Sequence, residues 1–300
     1  MSSRLTYSDI VVGVDGSPPC EVALRWAARE AAMRNVALTL VHVVSTTAAG
    51  APALGWPAAP VVAGLRHSQE EHARAVLADA VKVVVDSLED RRPEINCELF
   101  FSPPVPTLVD LSKEAALVVV GCRGRGALRR GLLGSVSTGL IHHAHCPVAV
   151  IHDDETSSSP PGARMPVLVG IDGSPASELA TAIAFDEACR RGVDVVALHA
   201  WSDADYFVPQ SMEWSALRSR AEAILAERLA GLQERYPDVG VSRALVLDHP
   251  ARHLLEQSES AQLVVVGSHG RGGFTGMLLG SVSTALAHAA RTPVIVARQR

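Results

Sequence analysis

Apolar residues in this chain come in short unbroken runs rather than in alternation with polar ones. "IVVGV" (10–14), "LTLVHVV" (38–44), "CELFF" (97–101), "LVVVG" (117–121) and "PVAVI" (147–151) recur at intervals through its first half. Runs of this length, rich in β-branched residues, predict strands covered on both faces, as in a parallel sheet. Between them, segments 18–34, 66–91, 105–116 and 135–144 carry the longer periodicity that predicts helices. The first opens on Ser17 as N-cap with Pro18 in its first turn, and Val22, Trp26, Ala27 and Met33 fall on one helical face. Strands alternating with helices predict a doubly wound α/β fold, in which ligands lie at the carboxyl ends of strands beside the switch in strand order.

The pattern then occurs again. "IVVGVDGSP" (10–18) matches "VLVGIDGSP" (167–175) at an offset of 157, and so do His42 and His199. "LVVVGCRG" and "LVVVGSHG", then "LLGSVST" at 132–138 and 278–284, match at 146. The first copy therefore carries eleven extra residues between about 45 and 72, a stretch rich in Ala, Pro and Gly that predicts a long loop. The polar tract "HDDETSSSPPGARM" (152–165) reads as a linker. Two domains are expected, 1–151 and 166–300, each large enough for its own core.

Each copy carries Gly-x2-Gly-x9-Gly-Ser directly after its fourth strand: Gly121, Gly124, Gly134, Ser135, and Gly267, Gly270, Gly280, Ser281. Glycine there permits backbone angles closed to other residues and lets a phosphate approach the main chain. The Gly-Ser that opens the next helix offers free N–H groups and a positive dipole end to an anion. The hydroxyls of Ser135 and Ser137, and of Ser281 and Ser283, offer further donors. The bland alternative is a tight turn with a helix cap, which two copies would also inherit. No GxxxxGK[ST] is present, and neither copy has GxGxxG after its first strand. Asp15 and Asp172, ending the first strand of each copy, suit a ribose hydroxyl or a magnesium ion on phosphates. They equally suit an Asx-turn that holds the bend.

Composition removes other classes. A net charge of -5 and 4% aromatic residues argue against a nucleic-acid or polybasic membrane-surface protein. Five scattered cysteines without CxxC argue against a disulfide framework or zinc site, and no leader or membrane-spanning run is evident, so a cytoplasmic protein is expected.

On these residues the chain resembles the universal stress proteins of the tandem-domain actinobacterial kind, over nearly all of both copies. The resemblance implies a five-stranded parallel sheet in each domain with ATP, and Mg with it, in the crevice. By position it implies that Asp15 and Asp172 contact ribose or phosphate-bound metal. Val43 and Ala200 would hold adenine through the backbone, and Val120 and Val266 would pack beside the nucleoside. The glycines and serines of each stretch, with Val136 and Ser137 or Val282 and Ser283 in the following turn, would hold the phosphates. It also implies pairing of the two copies and assembly of two chains into a homodimer, for which the late strands at sheet edges are natural surfaces.

Arg123, Arg125, Arg129 and Arg130 lie in the first stretch, against His269 and Arg271 in the second. Pointing inward they would draw the more negative ligand to copy one; pointing outward they are solvated surface charges. "HHAHC" (142–146) reads as histidines at a helix C-terminus rather than a metal cluster, and His42 and His199 as satisfied core histidines. Cys122 is an oxidisable thiol beside the glycine loop. The function expected is a nucleotide-dependent regulator with little or no catalysis and an unidentified protein partner. The alternatives are a scaffold that binds cyclic AMP or nothing, and a weak ATP-hydrolysing enzyme.

Overall fold

A computed structural model describes residues 9–45, 59–88, 92–124, 133–152, 164–201, 214–271 and 279–298. It divides the chain into two compact units, Met1–Asp153 and Asp154–Gln299. The 152–165 linker falls almost wholly outside the described residues. In the first unit the apolar runs form β1 (Ile10–Val14), β2 (Leu38–Val44), β3 (Ile95–Phe101), β4 (Leu117–Gly121) and β5 (Val148–Ile151). Helices α1 (Pro18–Arg34), α2 (Ala59–Asp86), α3 (Pro104–Leu111) and α4 (Ser135–His143) connect them. The second unit repeats this with β6 (Val167–Gly170), α5 (Pro175–Arg191), β7 (Val195–Trp201), α6 (Trp214–Arg235) and β8 (Val241–Leu247). It closes with α7 (Pro250–Ser258), β9 (Leu263–Gly267), α8 (Ser281–Ala289) and β10 (Val294–Ala297).

Every strand pairs in parallel, in the order β3-β2-β1-β4-β5 in the first unit and β8-β7-β6-β9-β10 in the second. The chain runs outward from β1 to β3, then returns to lay β4 on the other side of β1. This reversal puts the carboxyl ends of β1 and β4 side by side, with Val12 opposite Val119, and so opens a crevice between them. The all-apolar runs occupy the middle: the first three residues of β1 and all four valine and leucine positions of β4 are buried. Only the outer strands β3 and β8 are half-exposed, and Phe101 and Leu247 stand about half in solvent at their ends.

Two expectations are corrected. Of the face expected for α1, Trp26 and Ala27 are buried, but Val22 and Met33 are only half-buried, and Cys20, Ala23, Leu24, Ala28 and Ala31 complete the buried side. The alanines let the helix backbone lie close to the sheet. The predicted 45–72 loop is also shorter than expected. Residues 59–72 belong to α2, which begins well before the counterpart of Trp214, and 46–58 lie outside the described residues. Alanines, Leu65 and the Glu70–Glu71 pair are good helix formers and carry the helix back through the Ala/Pro-rich stretch.

α1 and α5 each bury a glutamate completely and pair it with an arginine one turn on: Glu30 with Arg34 at 2.5 Å, and Glu187 with Arg191 at 2.9 Å. Such pairs cost strongly when only one partner is removed.

The approach of α5 to the sheet is close enough to exclude a Cβ at its strand end, and that of α1 leaves one only tight room. At Gly267 a Cβ would sit 2.8–2.9 Å from the backbone of Ala176 and Ser177, and at Gly121 3.0–3.1 Å from the backbone of Pro19. Gly267→Ala is expected to cost about 1–3 kcal/mol, and Gly121→Ala less. Gly231→Ala, inside α6 with open space around it, should be neutral or stabilise by about 0.5–1 kcal/mol. Urea denaturation of the three variants tests that ranking.

Candidate functional site

At the end of β1, Asp15 turns the chain into α1. One of its carboxylate oxygens accepts the Ser17 N–H (3.0 Å) and the Ser17 hydroxyl (2.6 Å), while Gly16 takes φ 71°. Asp172 does the same with Ser174, at 2.9 and 2.7 Å, and Gly173 takes φ 81°. The Asx-turn is therefore real, and it occupies only Oδ1. Oδ2 lies across the crevice against the glycine loop, where a Cβ at Gly124 would come within 2.5 Å of it and one at Gly270 within 2.6 Å. In the second unit Oδ2 also accepts the Arg271 N–H at 3.1 Å.

Both strand-two histidines serve this turn. His42 Nδ1 lies 2.6 Å from the Val14 carbonyl, and His199 Nδ1 2.6 Å from that of Ile171. A carbonyl only accepts, so Nδ1 carries the proton and donates. Each ring thus fastens the residue immediately before the aspartate to β2 or β7.

The glycine stretch leaves β4 through Cys122, whose N–H donates to Ile151 (2.7 Å) and so extends the pairing with β5. The Gly134 N–H donates to the Cys122 carbonyl at 2.8 Å, and the Gly280 N–H to that of Ser268 at 2.7 Å. These bonds close the base of each loop and set the start of α4 and α8 beside the end of β4 and β9. The glycine argument is corrected on one point: none of the six motif glycines takes a positive φ. They are needed for closeness to the helix backbone at 121 and 267, and to the aspartate at 124 and 270. The hydroxyls of Ser137 and Ser283 also turn inward, donating to Gly121 (2.7 Å) and Gly280 (2.9 Å). What faces outward is the first turn itself, whose N–H groups have no acceptor within the helix.

These parts enclose a cleft of about 580 Å³ in the first unit and about 380 Å³ in the second, both within the range of small-molecule sites. Asp15, Val43, Val120, Gly121, Gly124, Gly134, Ser135, Val136 and Ser137 all line the first. Asp172, Ala200, Val266, Gly267, Gly270, Gly280, Ser281, Val282 and Ser283 all line the second. Sequence reasoning missed the side walls, Pro104 and Leu108 of α3 and Pro250 and Leu254 of α7. The repeat held a signal for them. All seventeen residues lining the first cleft have a counterpart lining the second, six at the 157 offset and eleven at 146.

Two of those positions differ in chemistry. Arg123 becomes His269, and Cys20 becomes Ser177. Cys20 is buried, its thiol 3.7 Å from the Gly13 carbonyl, and burial pushes its pKa up to about 11. Cys122 is buried as well, whereas Cys97 and Cys189 are exposed. Arg125, Arg129 and Arg130 lie outside the described residues. His142 and His143 occupy the last turn of α4. Among the described residues no three His, Cys, Asp or Glu side chains gather as a metal cage, and no helix is long and apolar enough to cross a membrane.

A doubly wound α/β unit with an aspartate and a glycine-bounded helix start facing each other at its switch point, present twice in one chain, defines a tandem α/β class of protein. The universal stress protein family profile matches residues 6–152 and again 164–298, and the chain belongs to that family. Universal stress protein Rv2005c of Mycobacterium tuberculosis is 56% identical over the whole of both chains. Universal stress protein Rv2623 of the same organism is 55% identical over 100% of this chain and 99% of its own. The crystal structure of a universal stress protein from Archaeoglobus fulgidus superimposes with a TM-score of 0.68 at 20% identity, over 97% of this chain and 98% of that one, a likeness of fold.

A thiol whose folded pKa stands above its unfolded value of 9.0 holds its proton more tightly when folded. Its contribution to stability is complete below pH 9 and is lost as the pH rises to about 11, on the order of 2 kcal/mol. Cys20→Ser, which installs the residue of the second unit, should flatten the fall in melting temperature between pH 9 and 11 relative to the parent chain.

Proposed function

We propose that each unit binds one ATP, with Mg²⁺, in its cleft, and that occupancy regulates stress adaptation or growth with little or no catalysis. The domains are 1–151 and 166–300, joined by 152–165. The observation that carries the proposal is the residue-for-residue repetition of the cleft lining. Turns kept only for folding would not require the apolar walls, the aspartate and the helix start to recur together around a ligand-sized space.

The nucleoside lies along β1, β2 and β4, with adenine against the backbone of Val43 or Ala200 and its flat face on Val120 or Val266. The phosphates run towards Gly121, Gly124 and Gly134, where the first-turn N–H groups of Ser135, Val136 and Ser137 and the helix dipole favour negative charge. Gly267, Gly270 and Gly280, with Ser281, Val282 and Ser283, do the same in the second unit. Asp15 and Asp172 hold a ribose hydroxyl or the metal through Oδ2. The donor set suits Mg²⁺, which is held by one or two carboxylates plus phosphate oxygens rather than by a protein cage. Bound there, it would neutralise charge between adjacent phosphates.

Among the described lining residues no histidine recurs in both clefts, and the repeated Ser17–Asp15 and Ser174–Asp172 pairs hold the turns, which supports a binding role over an enzymatic one; any ATP hydrolysis would be slow. The chain is a cytoplasmic homodimer that acts on a protein partner. Its net charge of -5 favours neither nucleic acid nor an anionic membrane surface.

Purified protein, denatured without added ligand, should release about two ATP per chain on chromatography. Gly124→Ala and Gly270→Ala, each pressing a Cβ on its own aspartate, should each remove one. Release of cyclic AMP in place of ATP would change the ligand. No release, with no calorimetric binding of Mg-ATP, would sink the proposal.

A further inference from the structure

We propose that the two clefts prefer different nucleotides: the first selects by the number of phosphates through Arg123, and the second, with His269 in that place, discriminates far less. This rests on the nucleotide-binding proposal above and assigns the ligand preference of the same two sites.

Arg123 and His269 hold matched positions in the two clefts but differ in chemistry. They are 146 residues apart, two residues beyond the last residue of β4 and of β9. Each lines its cleft and is half-buried. Each directly precedes the glycine that lies against the aspartate Oδ2. At the phosphate end, the other lining groups are matched: Asp15 with Asp172, Gly124 with Gly270, and the Gly-Ser helix starts with each other.

The ionisable carboxylates and cations of the described lining are therefore Asp15 with Arg123 in one cleft, and Asp172 with His269 in the other. A guanidinium is charged at any working pH and presents five N–H donors in a planar fork suited to phosphate oxygens. An uncharged imidazole offers one donor, and here Nδ1 of His269 is already 2.9 Å from the Ser268 hydroxyl. The first lining thus sets a fixed cation beside its aspartate, and the second sets an imidazole there. Each phosphate added to a nucleotide brings more negative charge, so its gain is larger where a fixed cation stands beside the glycine loop.

Two further observations agree. The first cleft is the larger, about 580 against 380 Å³, which suits the longer ligand. In the second unit, the α6 side chain Arg228 lies over Gly173, at the back of the Asp172 turn and outside the cleft lining. Neither Arg228 nor Arg271, whose N–H bonds the Asp172 Oδ2, is among the residues lining the second cleft.

The test uses the full chain with one cleft disabled at a time. Gly270→Ala leaves the first cleft and Gly124→Ala the second, and each protein is titrated calorimetrically with ATP, ADP and AMP at pH 8, with and without Mg²⁺. The ratio of ATP to AMP affinity is expected to be at least about tenfold higher in the first cleft, the size of one charge-assisted contact. Arg123→His should bring that ratio down to the level of the second cleft, and Arg123→Lys should retain most of it. His269→Arg should raise the ratio of the second cleft. Equal ratios in the two clefts, or ratios that these exchanges leave unmoved, would overturn the inference while leaving nucleotide binding intact. Failure of both clefts to bind any of the three nucleotides would instead overturn the nucleotide proposal and this one with it.

Discussion

Four missing Cβ atoms set the distances on which the rest of each unit depends. At Gly121 and Gly267 the strand end meets the backbone of the first helix turn of its own unit, at Pro19 and at Ala176–Ser177. At Gly124 and Gly270 the loop meets an aspartate oxygen. A Cβ at Gly267 would force α5 to shift, one at Gly121 would make α1 yield by a few tenths of an ångström, and one at Gly124 or Gly270 would press on the aspartate carboxylate. The crevice that a doubly wound sheet leaves at its switch point, with the aspartate on one side and the helix start on the other, would then widen. The alanine-rich face of α1 belongs to the same constraint, since a helix of larger inward residues would not come close enough to need glycine beneath it.

The aspartate turn shows how one side chain serves fold and site together. Oδ1 is committed to the Ser17 or Ser174 backbone and hydroxyl, which fixes the carboxylate's direction and leaves Oδ2 facing the loop. From the other side, His42 or His199 anchors the preceding carbonyl. The two explanations that local sequence leaves open for Asp-Gly-Ser-Pro, turn former or ligand contact, are compatible because a carboxylate has two oxygens.

Much of this was legible in the sequence, because the signals were long or doubled. Unbroken runs such as "LVVVG" announce a parallel core, and α1 begins and ends where Ser17-Pro18 and the periodicity place it. The two offsets between the copies also locate the change in length. What was not legible depends on packing. Periodicity alone does not tell that Ala23 and Ala31 join Trp26 and Ala27 on the buried side while Val22 and Met33 stay half-buried, which depends on how near the sheet lies. Nor can spacing tell that Ser137 donates back to Gly121 rather than outward, or that Gly121 is required for proximity rather than for its torsion angles. The α3 and α7 walls were hidden because Pro104, Leu108, Pro250 and Leu254 look like ordinary helix residues until the fold turns them towards the crevice.

The hydrogen bonds from Gly134 to Cys122 and from Gly280 to Ser268 have a consequence for how such a chain changes over time. Each closes a loop at its base, so the eleven residues between are joined to the scaffold at a fixed gap. Closing a longer or different loop across a fixed gap costs little, because the entropy grows only with the logarithm of its length. The tip is then free to exchange residues without disturbing its foundation. It has done so between "RGRGALRRGLL" and "HGRGGFTGMLL", four arginines against one, on two frames that keep the same glycine-to-carbonyl bond. A duplicated scaffold with a rewritable rim lets the two halves of one molecule differ in charge while both keep the same frame.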